Sequence, residues 1–124
     1  MRAGEIISLK PESVNLQNQT CFLPMTKNGT SRTVPLSTRA VELLELVNCD
    51  FDLTSRQLDA NFRKCRNMAG IENLHFHDTR HQGITNLAKK VDVLDLARIV
   101  GIRDLKILMV YYNESAESIA KKLG

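Results

Sequence analysis

Three histidines fall within seven positions, at His75, His77 and His81, and Arg80 lies among them. On one helix His77 and His81 share a face, and H-x-x-x-H is a spacing that holds zinc. The zinc-peptidase version of that pattern needs Glu directly after the first His as general base. Here the position is Asp78, whose short carboxylate suits a helix start better. No third ligand stands nearby, so the expectation is no metal and no cofactor. The same segment also reads H-x-x-R, with His77 and Arg80 at a helix start. A guanidinium fork beside oriented N–H groups matches a phosphate. The competing reading has His77 satisfying a backbone group and Arg80 making a surface ion pair.

These residues need elements to position them. Arg2 to Leu9 has Ile6 and Leu9 at helical spacing. Ser13–Gln17, Thr20–Met25 and Ser31–Leu36 carry alternating or β-favouring residues. Lys27-Asn28-Gly29-Thr30, between the last two, suits a tight hairpin turn. A three-stranded antiparallel sheet is predicted. From Ser37 onward the chain reads as helix: Ser37 caps a first with Val41, Leu44 and Val47 on one face, and Ser55 a second with Leu58, Phe62 and Cys65 as its apolar stripe and Gly70 as its stop. Asp78 opens a third carrying Ile84, Leu87 and Ala88, and Asp92 a fourth that ends at Gly101. Asp104 opens a short fifth through Tyr111, and Ser115 starts a last one with Ile119 and Leu123. The predicted fold class is α+β, mostly helical, a small three-stranded antiparallel sheet followed by a helical bundle.

Composition bounds the function classes. The 124 residues are 43% hydrophobic and 25% charged, which suits one domain and excludes a disordered or fibrous chain. The formal charge of +3 permits a polyanionic partner without requiring one. Cys21, Cys49 and Cys65 lack C-x-x-C spacing, so reduced thiols are expected rather than a disulfide framework. No apolar run approaches the roughly 20 residues that span a bilayer, so no membrane partner is expected and the location is read as cytoplasmic and nucleoid-associated.

Arg2, Lys27, the His77/Arg80 pair and Tyr111 stand in this order along a helix, a hairpin, a helix start and a short late helix. With MRAGEIISL, TKNGTSRTVPL, HFHDTRHQGITNLAKK and ARIVGIRDLKILMVYYN around them, nearly the whole chain resembles the C-terminal catalytic domain of the tyrosine recombinases, the phage integrase family. The resemblance implies catalytic roles for Arg2, Lys27, His77, Arg80 and Tyr111, with Tyr111 as nucleophile nine positions after Ile102 and Tyr112 as a packing residue. It implies site-specific recombination of double-stranded DNA through a covalent 3′-phosphotyrosine, without metal or ATP. The chemistry suits the residue types. A phenol is a weak nucleophile, two arginines neutralise the phosphate oxygens, and a lysine protonates the departing 5′ oxygen.

The chain departs from the pattern at Ile102, where the family has a hydrogen-bonding His or Trp after the glycine. The chain also begins beside Arg2, so by the resemblance residues 1–124 are expected to be a partial, N-terminally truncated catalytic domain, without the family's core-binding domain and first catalytic-domain helices. A catalytically impaired DNA-binding remnant is the alternative to an active enzyme, and a metal-dependent hydrolase using His77 and His81 a third reading. DNA contacts are expected from Arg32 beside Lys27, and from His81 and Arg103. For Arg63, Lys64 and Arg66, and for Lys89 and Lys90, phosphate contact and a solvated face both remain open. The last helix, Ser115 to Leu123, has an apolar stripe. It suits either its own domain or a neighbouring protomer in a synaptic tetramer on DNA.

Overall fold

The structure, a computed structural model, describes residues 1–24, 31–112 and 114–124. The chain opens with a five-residue helix, α1 (Ala3–Ile7), and a 3₁₀ turn at Pro11–Ser13. Three strands follow, β1 (Val14–Asn15), β2 (Thr20–Leu23) and β3 (Arg32–Pro35). They form an antiparallel sheet in the order β1-β2-β3, with Cys21 opposite both Val14 and Val34, and Leu23 opposite Arg32. Period-2 alternation turns Cys21, Leu23 and Val34 inward and leaves Phe22 and Thr33 outside. The Asn28-Gly29 turn and Lys27 lie outside the described residues.

Six helices follow: α2 (Thr38–Leu46), α3 (Ser55–Met68), α4 (Phe76–Ala88), α5 (Val93–Val100), α6 (Leu105–Met109) and α7 (Ala116–Leu123). Ser37, Asp92, Asp104 and Ser115 are N-caps as predicted, each accepting a bond from a backbone N–H in the first turn. Two starts differ from the prediction. The α3 cap is Thr54, whose Oγ1 accepts from the Gln57 N–H at 3.2 Å while Gln57 Oε1 accepts from the Thr54 N–H at 2.9 Å. Helix α4 begins at Phe76, with Asp78 inside its first turn accepting from the His75 N–H at 2.8 Å.

Two apolar clusters hold these elements. One gathers Leu9, Cys21, Leu23, Val34, Leu44 and Cys49 between the sheet and α2. The other gathers Ile84, Leu96, Val100 and Leu108 among α4, α5 and α6. Ile99 touches both and joins the sheet to the helical half. Helix α3 buries no residue, and its link to α4 includes an edge-to-face pair, Phe62 on Phe76, with centroids 5.5 Å apart. Cys65, expected on the apolar face of that helix, is exposed, so the half-buried part of the stripe ends at Phe62. Helix α6 stops at Met109, short of the predicted Tyr111. Tyr111 and Tyr112 donate to Leu108 and Met109, three residues back, and this tightens the turn. No helix among the described residues is long and apolar enough to cross a membrane.

Candidate functional site

The start of α4, the turn between α5 and α6, the turn after α6 and the beginning of the chain meet around one open cleft of about 500 Å³. Its walls carry Arg2, His77, Arg80, His81, Arg103 and Tyr111, with Ile102 beside them. Six of the eight residues singled out from the sequence for catalysis or DNA contact are thus brought together. Of the other two, Lys27 lies outside the described residues and Arg32 lies elsewhere.

Arg80 sits four residues before Ile84, whose side chain is part of the second core cluster, and this anchors its helix against α5. Its Nη2 donates to the Val100 carbonyl at 3.0 Å. Its Nη1 is buried without a hydrogen-bond partner among the described residues. Desolvation and then the nearby Arg2 charge lower the Arg80 pKa, yet a guanidinium stays protonated at any working pH. A buried donor left unpaired costs about 1–3 kcal/mol. In a cleft walled by two further arginines, an anionic oxygen is the partner that answers this deficit.

Arg2 approaches from α1, where it is the N-cap residue. The Glu5 carboxylate accepts from the Arg2 backbone N–H at 3.1 Å and from its Nη1 at 3.3 Å. Glu5 also receives both arms of Arg32, at 2.7 and 3.2 Å, and Arg32 Nε donates to the Ile99 carbonyl at 3.2 Å. The Arg32 and Glu5 side chains are only 11% and 10% exposed. This corrects the expectation for Arg32. Its donors are spent inside the fold, so it ties β3 to α1 and α5 rather than presenting charge to DNA. Gly101 closes over it with φ +71°, and a Cβ there would lie 2.8 Å from Arg32 Nη1. Glu5 was the residue the sequence reading passed over. Its only local signal was a carboxylate three residues after Arg2.

Tyr111 and Tyr112 separate cleanly. The Tyr112 hydroxyl donates to the Val91 carbonyl at 2.8 Å and its ring packs on the second core cluster. Desolvation, then the Asp92 charge, push its phenol up. The Tyr111 hydroxyl faces the cleft and lies 2.6 Å from His81 Nδ1. His81 in turn meets His77 edge-to-face, with centroids 5.9 Å apart. Ile102 packs against the second cluster and offers no donor to the cleft. No group of three or more His, Cys, Asp or Glu side chains among the described residues is arranged to hold a metal ion.

Of the residues left open, Arg63 and Arg66 line a neighbouring depression of about 350 Å³ that shares His77 with the cleft. Arg66 Nη1 donates to the Leu74 carbonyl at 3.1 Å. Lys89 and Lys90 line a separate depression beside α7.

Residues 1–118 match the family model described as the phage integrase family, and the chain belongs to that family. It is a tyrosine recombinase catalytic-domain chain over nearly its whole length. A Haemophilus influenzae protein provisionally named as an integrase/recombinase is 50% identical over 131 aligned positions, covering 99% of this chain and 43% of that protein. The Shufflon-specific DNA recombinase of Escherichia coli is 36% identical, over 99% of this chain and 34% of that protein. The chain therefore spans less than half the length of these relatives. Among solved structures, XerH site-specific recombinase bound to its difH substrate superposes with TM-score 0.72 at 23% identity, over 99% of this chain and 42% of that one. The Tn1549 transposon integrase in complex with circular intermediate DNA gives TM-score 0.70 at 16% identity, over 99% of this chain and 55% of that one. These likenesses establish the fold.

Proposed function

We propose that this chain cleaves and rejoins double-stranded DNA at specific sites through a covalent 3′-phosphotyrosine on Tyr111. The observation that carries the reading is the cleft itself. The phenol of Tyr111 opens on the same space as the buried, unpartnered Nη1 of Arg80 and the guanidinium groups of Arg2 and Arg103. A phosphodiester seated there meets its nucleophile and its charge stabilisers together.

The Tyr111 oxygen attacks phosphorus, and the bond to the 5′ oxygen breaks. Arg2 and Arg80 hold the nonbridging oxygens as charge builds on them. His77 contacts the phosphate at the first turn of α4. Lys27, by the family resemblance, supplies the proton that the departing 5′ oxygen takes. The phosphotyrosine ester conserves the energy of the broken phosphodiester, so a 5′ hydroxyl from another strand reverses the step without ATP. His81 and Arg103 lie along the cleft wall, where they meet the DNA. The exposed Ile119 and Leu123 of α7 support docking on a neighbouring protomer in a synaptic tetramer. Residues 1–124 are then a partial catalytic domain.

Ile102 favours a second reading, a DNA-binding chain with impaired chemistry, because its position offers no donor to the phosphate. Covalent trapping decides between the two. The chain is incubated with nicked duplexes prepared from the source genome, and mass spectrometry seeks a phosphotyrosyl peptide containing Tyr111. Tyr111→Phe is the blank. An adduct on Tyr111 supports the enzyme. Binding without an adduct in the native chain, with one appearing in Ile102→His, supports the impaired chain. Absence of both binding and adduct refutes the proposal.

A further inference from the structure

We infer that His81 is the group that takes the phenol proton of Tyr111, an assignment that rests on the reading of Tyr111 as nucleophile. Phenols ionise near pH 10, so at neutral pH the hydroxyl must lose its proton to a neighbour as the new bond forms. Among the described residues His81 is the group that hydrogen-bonds it, with Nδ1 2.6 Å from the hydroxyl oxygen. That is within the range from which a general base acts. Tyr111 meanwhile packs by its ring on the second core cluster. The contact thus joins two side chains held by separate elements, one on α4 and one after α6.

The arrangement also limits which form of His81 serves. For Nδ1 to accept, the ring proton of the neutral imidazole must sit on Nε2. Around the contact stand Arg80 and the His77 ring from α4, Arg2 from the chain start, and Arg103 and Asp104 from the turn before α6.

The step balances. The Tyr111 O–P bond forms and the 5′ O–P bond breaks; the phenol proton passes to His81 Nδ1, and the 5′ oxygen receives its proton from Lys27. On rejoining, the 5′ hydroxyl attacks and His81 returns the proton to the tyrosine oxygen. His81 is therefore a catalytic residue in both directions, beyond the DNA contact expected of it from the sequence. Ile102 leaves this function intact, because it takes no part in the hydrogen bond between Tyr111 and His81.

The test uses two electrophiles on the whole chain. An aryl sulfonyl fluoride reacts with a tyrosine by forming the O–S bond and expelling fluoride, and it requires the same loss of the phenol proton without any DNA. Labelling of Tyr111 is followed by mass spectrometry from neutral to alkaline pH, with Tyr112 as internal reference. His81→Gln keeps a hydrogen-bonding oxygen and removes the base. Expected is a fall in Tyr111 labelling on the order of 10²-fold at neutral pH, vanishing in the alkaline range where phenols ionise unaided. Equal profiles for the two proteins, or an equal loss at every pH, overturn the assignment, since the latter is what mere misplacement of Tyr111 produces. The second electrophile is a nicked duplex with sulfur replacing the bridging 5′ oxygen, whose thiolate leaves without an acid. Adduct formation there should fall with His81→Gln and persist in Lys27→Ala. An adduct indifferent to His81→Gln overturns the assignment. Base-dependent labelling with no adduct on any duplex instead upholds the proton acceptor and refutes the recombination reading.

Discussion

Replacing Glu5 by Gln tests how the first wall of the cleft is held. The carboxylate receives two bonds from Arg32 and two from Arg2, and both it and Arg32 are about nine-tenths covered. An amide presents one acceptor oxygen and points its NH₂ at a guanidinium, so the swap leaves a covered charge without its partner. Removing one member of a buried ion pair costs about 3–5 kcal/mol. Here Arg32 keeps its bond to the Ile99 carbonyl, and Arg2, 38% exposed, opens one edge of the group to water. The expected loss is therefore about 3 kcal/mol, at the lower end of that range. In a chain of this size it lowers Tm by on the order of 10 °C. Urea and thermal unfolding at neutral pH measure it.

The double variant Glu5→Gln/Arg32→Met removes both charges and should be more stable than Glu5→Gln alone. The pH dependence has a definite sign. Burial pushes the Glu5 carboxyl up, but the Arg32 hydrogen bond, the Arg2 backbone N–H and the arginine charges outweigh it, and the net shift is downward. A depressed carboxyl contributes stability above its unfolded pKa and loses it as pH falls through the folded value. The native chain should thus weaken in acid by more than Glu5→Gln does. A Glu5→Gln chain within about 0.5 kcal/mol of native at neutral pH, the range of ordinary surface changes, would falsify the account of a buried, structural pair.

Three further outcomes are expected. Gly101→Ala should cost about 2 kcal/mol in urea unfolding, because the residue is left-handed and its new methyl meets Arg32; a neutral result refutes that close approach. Ile102→His should raise the yield of Tyr111 adduct on the order of 10²-fold by restoring one donor, and an unchanged yield shows the donor is dispensable. Tyr112→Phe should lose about 1 kcal/mol of stability with its bond to Val91 while the adduct stays on Tyr111, and an adduct that disappears with Tyr112 reverses the assignment of the nucleophile.

Much of this architecture was legible because it is written locally. Ser37, Asp92, Asp104 and Ser115 each stand just before an apolar-periodic run, and each caps the helix that follows. The α4 start was misplaced because an acidic residue serves equally as a cap or, three residues in, as the partner of the cap's N–H; Asp78 does the second. At α3 two adjacent hydroxyls compete, and Thr54 prevails because Gln57 answers it. Of the candidate site, the residues on α4 and around α6 follow from short motifs. The destination of Arg32 does not. Its carboxylate lies 27 residues away, and nothing near Arg32 tells a guanidinium turned toward DNA from one turned toward Glu5. Cys65 misled in the same way: helical spacing defines a stripe, but only a neighbouring element can cover all of it.

The first helix bears on the order of assembly. Five residues cannot sustain a helix in water on their own, and α1 adds no side chain to either apolar cluster. Its charged anchor is Arg32, which is in place only once β3 has met α5 and the Gly101 turn has closed. During folding, then, α1 docks after the sheet and the helical half have joined. Substitutions at Glu5 should speed unfolding and leave the refolding rate nearly unchanged. Arg2 therefore reaches the cleft late in folding and is among the first groups to leave it when the chain opens.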